Sequence, residues 1–154
     1  MAGIQVGDSA PDLTGTAHDG TPINLHALCR DRAVVLYFYT KDGTVGCTRQ
    51  ACSFRDAYED FTAAGGAVIG VSSDDDANHR AFAAEHRLPF PLLSDSDGTL
   101  RRAWGVPKTL GLLAGRVTYV MDREAIVRHI FDSQLFAERH MHEALATVRR
   151  LRQA

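Results

Sequence analysis

The chain has 154 residues, 45% of them hydrophobic, and a formal net charge of −2 at pH 7. This length predicts a single domain over residues 1–154, with a core large enough to need neither disulfide staples nor a structural metal. The near-balanced charge, without a long basic block, argues against nucleic acid as a partner. No stretch approaches the roughly 18 apolar residues of a membrane span, and residues 1–8 lack a secretory signal pattern. We therefore expect a soluble, cytoplasmic protein that does not bind membranes.

The first half of the chain alternates strand and helix patterns. Apolar and β-branched residues predict strands over residues 33–39 and 67–72, and helical periodicity predicts helices over residues 47–64 and 77–86. In the first helix, one stripe at spacings of four and three should face the sheet: Cys47, Ala51, Phe54, Tyr58 and Phe61. Gly65 and Gly66 then indicate the end of that helix.

The second half predicts two strands, residues 117–121 and 125–131, and a final helix over residues 137–152. Three residues separate these strands, so they should form an antiparallel hairpin. A parallel βαβ half, an antiparallel hairpin and a closing helix together predict an α/β, thioredoxin-like fold, with a central mixed β-sheet flanked by helices. Active chemistry is then expected at the carboxyl end of the first central strand.

Cys47 falls at that position, where a strand is followed by the start of a helix. Unpaired N–H groups and the positive end of the helix dipole favour a thiolate there, with a pKa below the free value of about 8.5. A free cysteine is more often inert core filling, but Thr44, three residues earlier, places a hydroxyl within reach of the sulfur. Three cysteines in such a chain cannot all pair, which favours reactive thiols over a disulfide framework.

The sequence around Cys47 also resembles a known family. The chain is similar to peroxiredoxins of the Q type, which include bacterioferritin comigratory protein. The segments that carry the resemblance are residues 6–12, 38–47, 51–56, 91–95, 104–106 and 116–122. The resemblance implies a thiol-dependent peroxidase in which Cys47 is the peroxidatic cysteine and Cys52 the resolving one. It also implies that Thr44 and Arg116 are the polar partners of the peroxide, and that Thr40 and Gly46 line the pocket.

Arg116 suits that role because a guanidinium stays charged and donates in a fork, so that it can contact thiolate and peroxide together. Without the resemblance, a surface arginine at a strand edge is the alternative. Among the positions that depart from the family, Thr40 and Gln50 bear on the site, whereas Val45 replaces a common proline without consequence. Thr40 stands where the family usually has proline, which affects how well the pocket shields the sulfur, and Gln50 stands where many members carry glutamate.

Cys52 raises a geometric problem for the catalytic cycle. Five residues of ideal helix place the Cα atoms about 8.7 Å apart, with the side chains pointing about 140° away from each other. A disulfide needs less than roughly 7 Å, so a pairing of Cys47 with Cys52 requires the helix to unwind after sulfenic acid forms. Alternatively, Cys52 is inert and an external thiol resolves Cys47.

The remaining motifs indicate structure. Cys29 is expected to pack or to lie exposed near a short helical turn. His140 and His142 point to different faces of a helix, which argues against a metal site. Asp74, Asp75 and Asp76 are best explained as helix capping. The sequence contains no nucleotide-binding glycine motif, so we expect no cofactor and a supply of electrons through thiols.

We therefore interpret the chain as a peroxidase for hydrogen peroxide and organic hydroperoxides that is recycled by thioredoxin or a similar reductant. A monomer is favoured over an obligate oligomer. One alternative is a thiol–disulfide oxidoreductase, although Thr44 takes the place of the first cysteine of its usual Cys-x-x-Cys motif. Another is a non-enzymatic redox sensor.

Overall fold

The computed structural model describes residues 3–106, 108–109 and 113–153. The elements within these ranges are, in chain order, β1 (Thr14–Thr16), β2 (Pro22–Asn24), α1 (Leu25–Cys29), β3 (Ala33–Phe38), α2 (Val45–Asp56), α3 (Tyr58–Ala63), β4 (Gly66–Ser72), α4 (Asp76–His86), β5 (Leu92–Ser94), α5 (Thr99–Trp104), β6 (Lys108–Thr109), β7 (Leu113–Ala114), β8 (Val117–Met121), β9 (Val127–Asp132) and α6 (Ala137–Gln153). None of the helices in the described ranges is both long and apolar enough to cross a membrane.

The main sheet has the strand order β5-β4-β3-β8-β9. Strands β3, β4 and β5 are parallel, whereas β8 runs antiparallel to β3 and β9 antiparallel to β8. The predicted α/β architecture, with a mixed central sheet and a C-terminal hairpin, is therefore confirmed. Because β3 lies in the middle and all six of its residues are buried, the loop that follows it opens at the centre of the sheet.

Alternate residues of β3 supply the two faces of the core. Val35 and Tyr37 pack with residues of α2, α3 and α6. Val34, Leu36 and Phe38 pack on the opposite face with residues of α1 and α5. The period of two in a strand produces this division, and it places α2 directly over the end of β3.

Gly70 makes room for the Tyr37 ring between the sheet and α2. Gly70 lies on β4 beside Tyr37 in the register of the two strands, and a Cβ atom at Gly70 would lie 2.9 Å from Tyr37 Cζ and 2.9 Å from Leu92 Cδ2. The Tyr37 ring therefore lies across the glycine, where it stacks on Phe54 of α2 with 4.7 Å between ring centroids.

Most predicted element bounds agree with the structure to within two residues, but two regions differ in a way that has a clear physical reason. The single helix predicted over residues 47–64 is wrong, because it breaks at Ala57, whose φ of −96° and ψ of 5° lie outside helical values. The second hairpin strand starts at Val127 instead of residue 125. Ala125 has a φ of 60°, and the Asp122 carboxylate accepts the N–H groups of Glu124 and Ile126, which extends the turn.

The buried stripe on the first predicted helix is confirmed. Cys47, Ala51, Phe54 and Phe61 are all buried, and Tyr58 packs partly buried against the same cluster. Gly65, with a φ of 81°, follows α3 as the predicted helix end, whereas Gly66 already belongs to β4. The sequence patterns missed the short elements β1, β2, β5, β6, β7 and α5.

Replacing Gly70 with alanine should destabilise the fold by roughly 1–3 kcal/mol, because the new methyl group must displace Tyr37 and Leu92 in a packed core. The measurement is chemical denaturation of Gly70→Ala, with Gly15→Ala as the control. At Gly15 the atom nearest the added Cβ is Leu93 Cδ2, at an ordinary contact distance of 3.9 Å. The control should change the free energy of unfolding by less than about 0.5 kcal/mol. Equal effects in the two variants would contradict this account of Gly70.

Candidate active site

The candidate site lies at the carboxyl end of β3. Residues 39–44 leave the strand and lead into α2, whose third residue is Cys47. Arg116 directly precedes β8, and the pairing of Phe38 with Val117 places it beside the end of β3. The backbone thus brings Cys47 and Arg116 together from positions 69 residues apart in the sequence.

Cys47 is almost completely buried, with 1% of its surface exposed. Its sulfur lies 3.0 Å from the hydroxyl oxygen of Thr40. Burial raises the pKa of the Cys47 thiol, but hydrogen bonds from the Lys41 backbone N–H and from the Thr40 hydroxyl, with the positive charge of Arg116, outweigh it. The net pKa of Cys47 is lowered, so that the thiolate is favoured.

Thr44 is arranged differently from the sequence expectation. Its side chain is exposed, and its hydroxyl donates to the Lys41 carbonyl at 3.1 Å. A hydroxyl has one proton to donate, so the Thr44 proton is engaged by the loop in this state. Thr40, which occupies the usual proline position of the family, provides the hydroxyl at 3.0 Å from the sulfur.

Arg116 is a buried residue, only 4% exposed, and so it does not resemble a surface arginine at a strand edge. Its Nη1 donates to Gln50 Oε1 at 2.6 Å, and Gln50 is itself fully buried on α2. A Cβ atom at Gly46 would lie 3.1 Å from Arg116 Nη2, so the glycine leaves room for the guanidinium. Arg116 Nε and Gln50 Nε2 are buried without a hydrogen-bond partner among the described residues.

A second arginine, Arg101 of α5, lies near the same loop. Its Nη1 donates to the Gly115 carbonyl at 3.0 Å and its Nη2 donates to the Tyr39 carbonyl. The guanidinium carbon lies 5.7 Å from the centroid of the Phe38 ring. Sequence reasoning missed Arg101, because nothing in the local pattern around it distinguishes this residue from the exposed Arg102 beside it.

The other two cysteines have different surroundings. Cys52 is partly exposed on α2, and its sulfur lies 3.9 Å from His86 Nδ1 on α4. Cys29 is fully buried, and burial, with smaller contributions from Asp122 and Asp12, raises its pKa to about 11. Cys29 is therefore a neutral thiol at physiological pH, unlike Cys47.

The acidic run that follows β4 is divided between two roles. Asp75 caps α4, since its carboxylate accepts the N–H of Asn78 at 2.8 Å, as predicted. The capping prediction is wrong for Asp74, whose carboxylate instead accepts the Ser72 hydroxyl and the backbone N–H of Asp42 in the loop before Cys47. The spacing of 32 residues between Asp42 and Asp74 gives no sequence signal for this contact.

The arrangement as a whole can carry out nucleophilic attack by sulfur. The shielded Cys47 sulfur, whose pKa is lowered, can provide the nucleophile. Hydroxyl, amide and guanidinium donors surround it on one side and can bind an oxygen atom that gains negative charge. These are the requirements for cleavage of a peroxide bond.

Comparisons with known proteins agree with this chemistry. Residues 6–130 match the model of the AhpC/TSA family. A protein named peroxiredoxin Q, chloroplastic, from Arabidopsis thaliana is 48% identical over 146 residues, which cover 94% of this chain and 67% of the relative. Among solved structures, peroxidoxin BcpB from Mycobacterium tuberculosis is 36% identical with a TM-score of 0.87, covering 96% of this chain and 98% of that one. The bacterioferritin comigratory protein of Xanthomonas campestris, described for its alkyl peroxide reduction activity, is 30% identical with a TM-score of 0.81, covering 91% of this chain and 92% of that one.

Proposed function

This chain belongs to the AhpC/TSA family and is a thiol-dependent peroxidase of the peroxiredoxin Q type, and we propose that its reaction proceeds through a sulfenic acid at Cys47 and a disulfide between Cys47 and Cys52. The observation that carries the first step is the buried Cys47 sulfur with its pKa lowered by surrounding donors. A sulfur that is an anion at neutral pH is the reactive form of cysteine.

In the oxidation step, the Cys47 thiolate attacks one oxygen of the peroxide. The S–O bond forms as the O–O bond breaks; the attacked oxygen keeps its proton, so that Cys47 becomes a sulfenic acid, and the leaving oxygen takes a proton from solvent and departs as water or an alcohol. Arg116, the Lys41 N–H and the Thr40 hydroxyl are positioned to donate to the two oxygens, and the Thr44 hydroxyl joins them when it turns away from the Lys41 carbonyl. Such donors stabilise the charge that develops on the leaving oxygen.

In the resolving step, the Cys52 thiol attacks the Cys47 sulfenic acid, and a disulfide and water form. Both cysteines lie on α2, which runs without interruption from Val45 to Asp56, so the distance of about 8.7 Å between their Cα atoms must first shorten by unwinding. A dithiol reductant of the thioredoxin type then reduces the disulfide and is itself oxidised. Cys52 is accessible to such a partner, since it is partly exposed in the intact helix.

The two halves of α2 differ in a way that favours unwinding from the N-terminal end. Thr44 occupies the N-cap position without a side-chain capping bond, Val45 is 73% exposed, and Gly46 has low helix propensity. The C-terminal half is held by the buried Phe54 ring and by Arg55, which donates to the His86 carbonyl at 2.9 Å. The mobile end therefore carries Cys47 toward a fixed Cys52.

The expected substrates are hydrogen peroxide and organic hydroperoxides. A surface groove of about 270 Å³ includes Gly46, the residue before Cys47, and is lined by the exposed apolar side chains of Leu135 and Phe136 together with the charged residues Arg49, Glu138 and Arg139. Such a groove suits the alkyl group of an organic hydroperoxide. The alkyl peroxide reduction described for the Xanthomonas campestris relative supports the same class.

The proposed cycle also bears on the oligomeric state and the cellular location of the protein. Both reacting cysteines are supplied by one chain, so a monomer suffices for catalysis. Free thiols and a thiol reductant require a reducing compartment, which supports a cytoplasmic location, although the Arabidopsis thaliana relative is named as chloroplastic. None of these steps draws on a bound cofactor.

Replacing Cys47 with serine should abolish peroxide turnover, because a serine hydroxyl is not ionised at neutral pH. The measurement is the stopped-flow rate of peroxide consumption, with Cys29→Ser as the matched control. Cys29 is buried and protonated, so its variant should retain a nearly unchanged rate. Turnover by Cys47→Ser would show that another residue is the nucleophile.

Oxidation by one equivalent of peroxide should produce a Cys47–Cys52 disulfide and faster amide exchange across residues 46–55, because the helix must unwind to form the bond. Mass mapping identifies the bridge, and hydrogen exchange of the reduced and oxidised protein measures the unwinding. In Cys52→Ser, the first oxidation should persist while recycling by thioredoxin fails and Cys47 proceeds to sulfinic acid at high peroxide. A bridge to Cys29, or unchanged exchange across α2, would contradict this cycle.

A further inference from the structure

A buried cluster of polar side chains surrounds Asp42, in the loop just before Cys47. Asp42 Oδ2 lies 2.6 Å from His79 Nδ1 on α4, and Asp42 Oδ1 accepts the Tyr39 hydroxyl at 2.5 Å. The side chain of His79 is fully buried and that of Asp42 is 6% exposed. The backbone N–H of Asp42 donates to Asp74 Oδ2 at 2.8 Å. Asp42 is therefore held from the residue after β3, from the loop after β4 and from α4.

The neighbours of His79 determine its protonation state. Nδ1 faces the Asp42 carboxylate, and Nε2 lies 3.0 Å from the Leu93 carbonyl oxygen. Both are acceptors only, and the Tyr39 hydroxyl, 3.5 Å from Nδ1, gives its proton to Asp42. Both ring nitrogens must then carry a proton, so His79 is an imidazolium. Burial lowers the pKa of His79, but the hydrogen bond and charge of Asp42, the Leu93 carbonyl and the charge of Asp74 raise it by more.

His140 on α6 is equally buried, but its hydrogen-bond partners favour the neutral ring and not the imidazolium. Its Nδ1 lies 2.7 Å from the Thr118 hydroxyl, which can donate, and its Nε2 lies 2.8 Å from the Ser133 carbonyl. One ring proton satisfies both contacts. Burial lowers the pKa of His140 to about 4, so His140 is neutral at pH 7 and provides an internal reference for His79.

The Asp42 cluster is adjacent to the nucleophile along the chain. Lys41 directly precedes Asp42: its N–H, in the peptide with Thr40, is directed at the Cys47 sulfur, and its carbonyl, in the peptide with Asp42, accepts the Thr44 hydroxyl. Gly43, with a φ of 84°, turns the chain immediately after Asp42. Asp42 is fixed through its backbone N–H by Asp74 and through its side chain by His79 and Tyr39. Because Asp42 directly follows Lys41, this restricts the rotation of Lys41 and with it the direction of the Lys41 N–H.

The same cluster has the residue types of a cation site, since ligand atoms of Asp42, Asp74 and His79 lie within 4.8 Å of one another. However, both nitrogens of His79, both oxygens of Asp42 and Oδ2 of Asp74 already take part in hydrogen bonds within the protein. These protons occupy the positions that a cation would need. The cluster therefore acts as a clamp on the loop.

We propose that His79 is a positioning residue for the peroxidatic sulfur: its imidazolium holds the Asp42 carboxylate and thereby keeps the Lys41 amide directed at Cys47. The proposal rests on the proposed role of Cys47 as nucleophile. His79 itself does not contact the sulfur or the peroxide site, so its effect reaches Cys47 only through the loop.

The test compares His79→Gln, Asp42→Asn and the double variant in a background with Cys29→Ser and Cys52→Ser, where Cys47 is the remaining thiol. The readout is the rate of Cys47 alkylation by iodoacetamide at pH 7, which depends on the thiolate and needs no peroxide. Each single variant should slow alkylation about tenfold, corresponding to about 1.4 kcal/mol. Because the two residues act as one unit, the double variant should match either single variant.

A matched control separates this role from general loss of stability. His129→Gln on β9 also breaks a histidine–carboxylate pair, since His129 Nε2 lies 2.9 Å from Glu143 Oε1, but its alkylation rate should equal that of the background protein. Tyr39→Phe removes one hydrogen bond to Asp42 and leaves the ion pair, so it should have a smaller effect than Asp42→Asn. Unchanged alkylation in folded Asp42→Asn, or additive effects in the double variant, would overturn the proposal.

A spectroscopic measurement on the unaltered chain tests the charge state directly. At pH 7, nitrogen NMR of the imidazole rings should find two protonated nitrogens in His79 and one in His140. The stabilisation from the His79–Asp42 pair is complete below the unfolded-state pKa near 6.5 and is lost as pH rises through the raised folded-state pKa. The charged groups facing His79 are Asp42 and Asp74. A neutral His79 at pH 7 would overturn the proposal, whereas peroxide turnover by Cys47→Ser would instead overturn the proposed function.

Discussion

A negative charge on a sulfur atom that is almost fully buried is the constraint on which the rest of this structure depends. Burial alone would favour the neutral thiol, so the charge requires compensation by nearby donors. Thr40, the Lys41 amide and Arg116 provide it from three directions. Because Arg116 arrives from β8 and Lys41 from the loop after β3, the site exists only when the mixed sheet is assembled.

The neutral partner of Arg116 fits this requirement. Gln50 accepts a hydrogen bond from the guanidinium at 2.6 Å without adding a negative charge. A carboxylate at that place would draw part of the arginine's charge away from the thiolate. The buried pair therefore orients Arg116 while leaving its charge available to Cys47 and, in the proposed reaction, to the peroxide.

The same helix that shields Cys47 also separates it from Cys52. Unequal support of α2 offers a solution, because its first turn has no side-chain cap while Phe54 and Arg55 secure its second half. In the proposed cycle, the first turn unwinds and removes Cys47 from its donors only after the sulfur has reacted. The charge that required those donors would then be gone, so oxidation itself would lower the cost of leaving the pocket.

Local patterns were sufficient for much of the fold. The runs of residues 33–39, 67–72 and 117–121 are long, apolar and bounded by turn residues, and each became a strand of the main sheet. The helix break at Ala57 has no local sequence signal, because neither glycine nor proline stands at that position. Very short strands such as β1 and β5 carry too few residues for a periodic signal.

The site was predictable where chemistry follows local position, as for Cys47 at a helix start. It was not predictable where contacts depend on tertiary structure. Sequence spacing placed the Thr44 hydroxyl within reach of the sulfur, but in the structure this hydroxyl donates to the Lys41 carbonyl, and the Thr40 hydroxyl oxygen lies 3.0 Å from the sulfur. The contact between Asp42 and His79 spans 37 residues. It joins the loop after β3 to α4, the helix that connects β4 to β5.

The most direct test of this account is the pKa of Cys47, measured from its thiolate absorbance in the background lacking Cys29 and Cys52. The account predicts a value below the ordinary thiol value of about 8.5, a higher value in both Thr40→Val and Arg116→Ala, and recovery in Thr40→Ser, which restores the hydroxyl. A Cys47 that titrates as an ordinary thiol, or whose pKa is unchanged by removal of either donor, would contradict it.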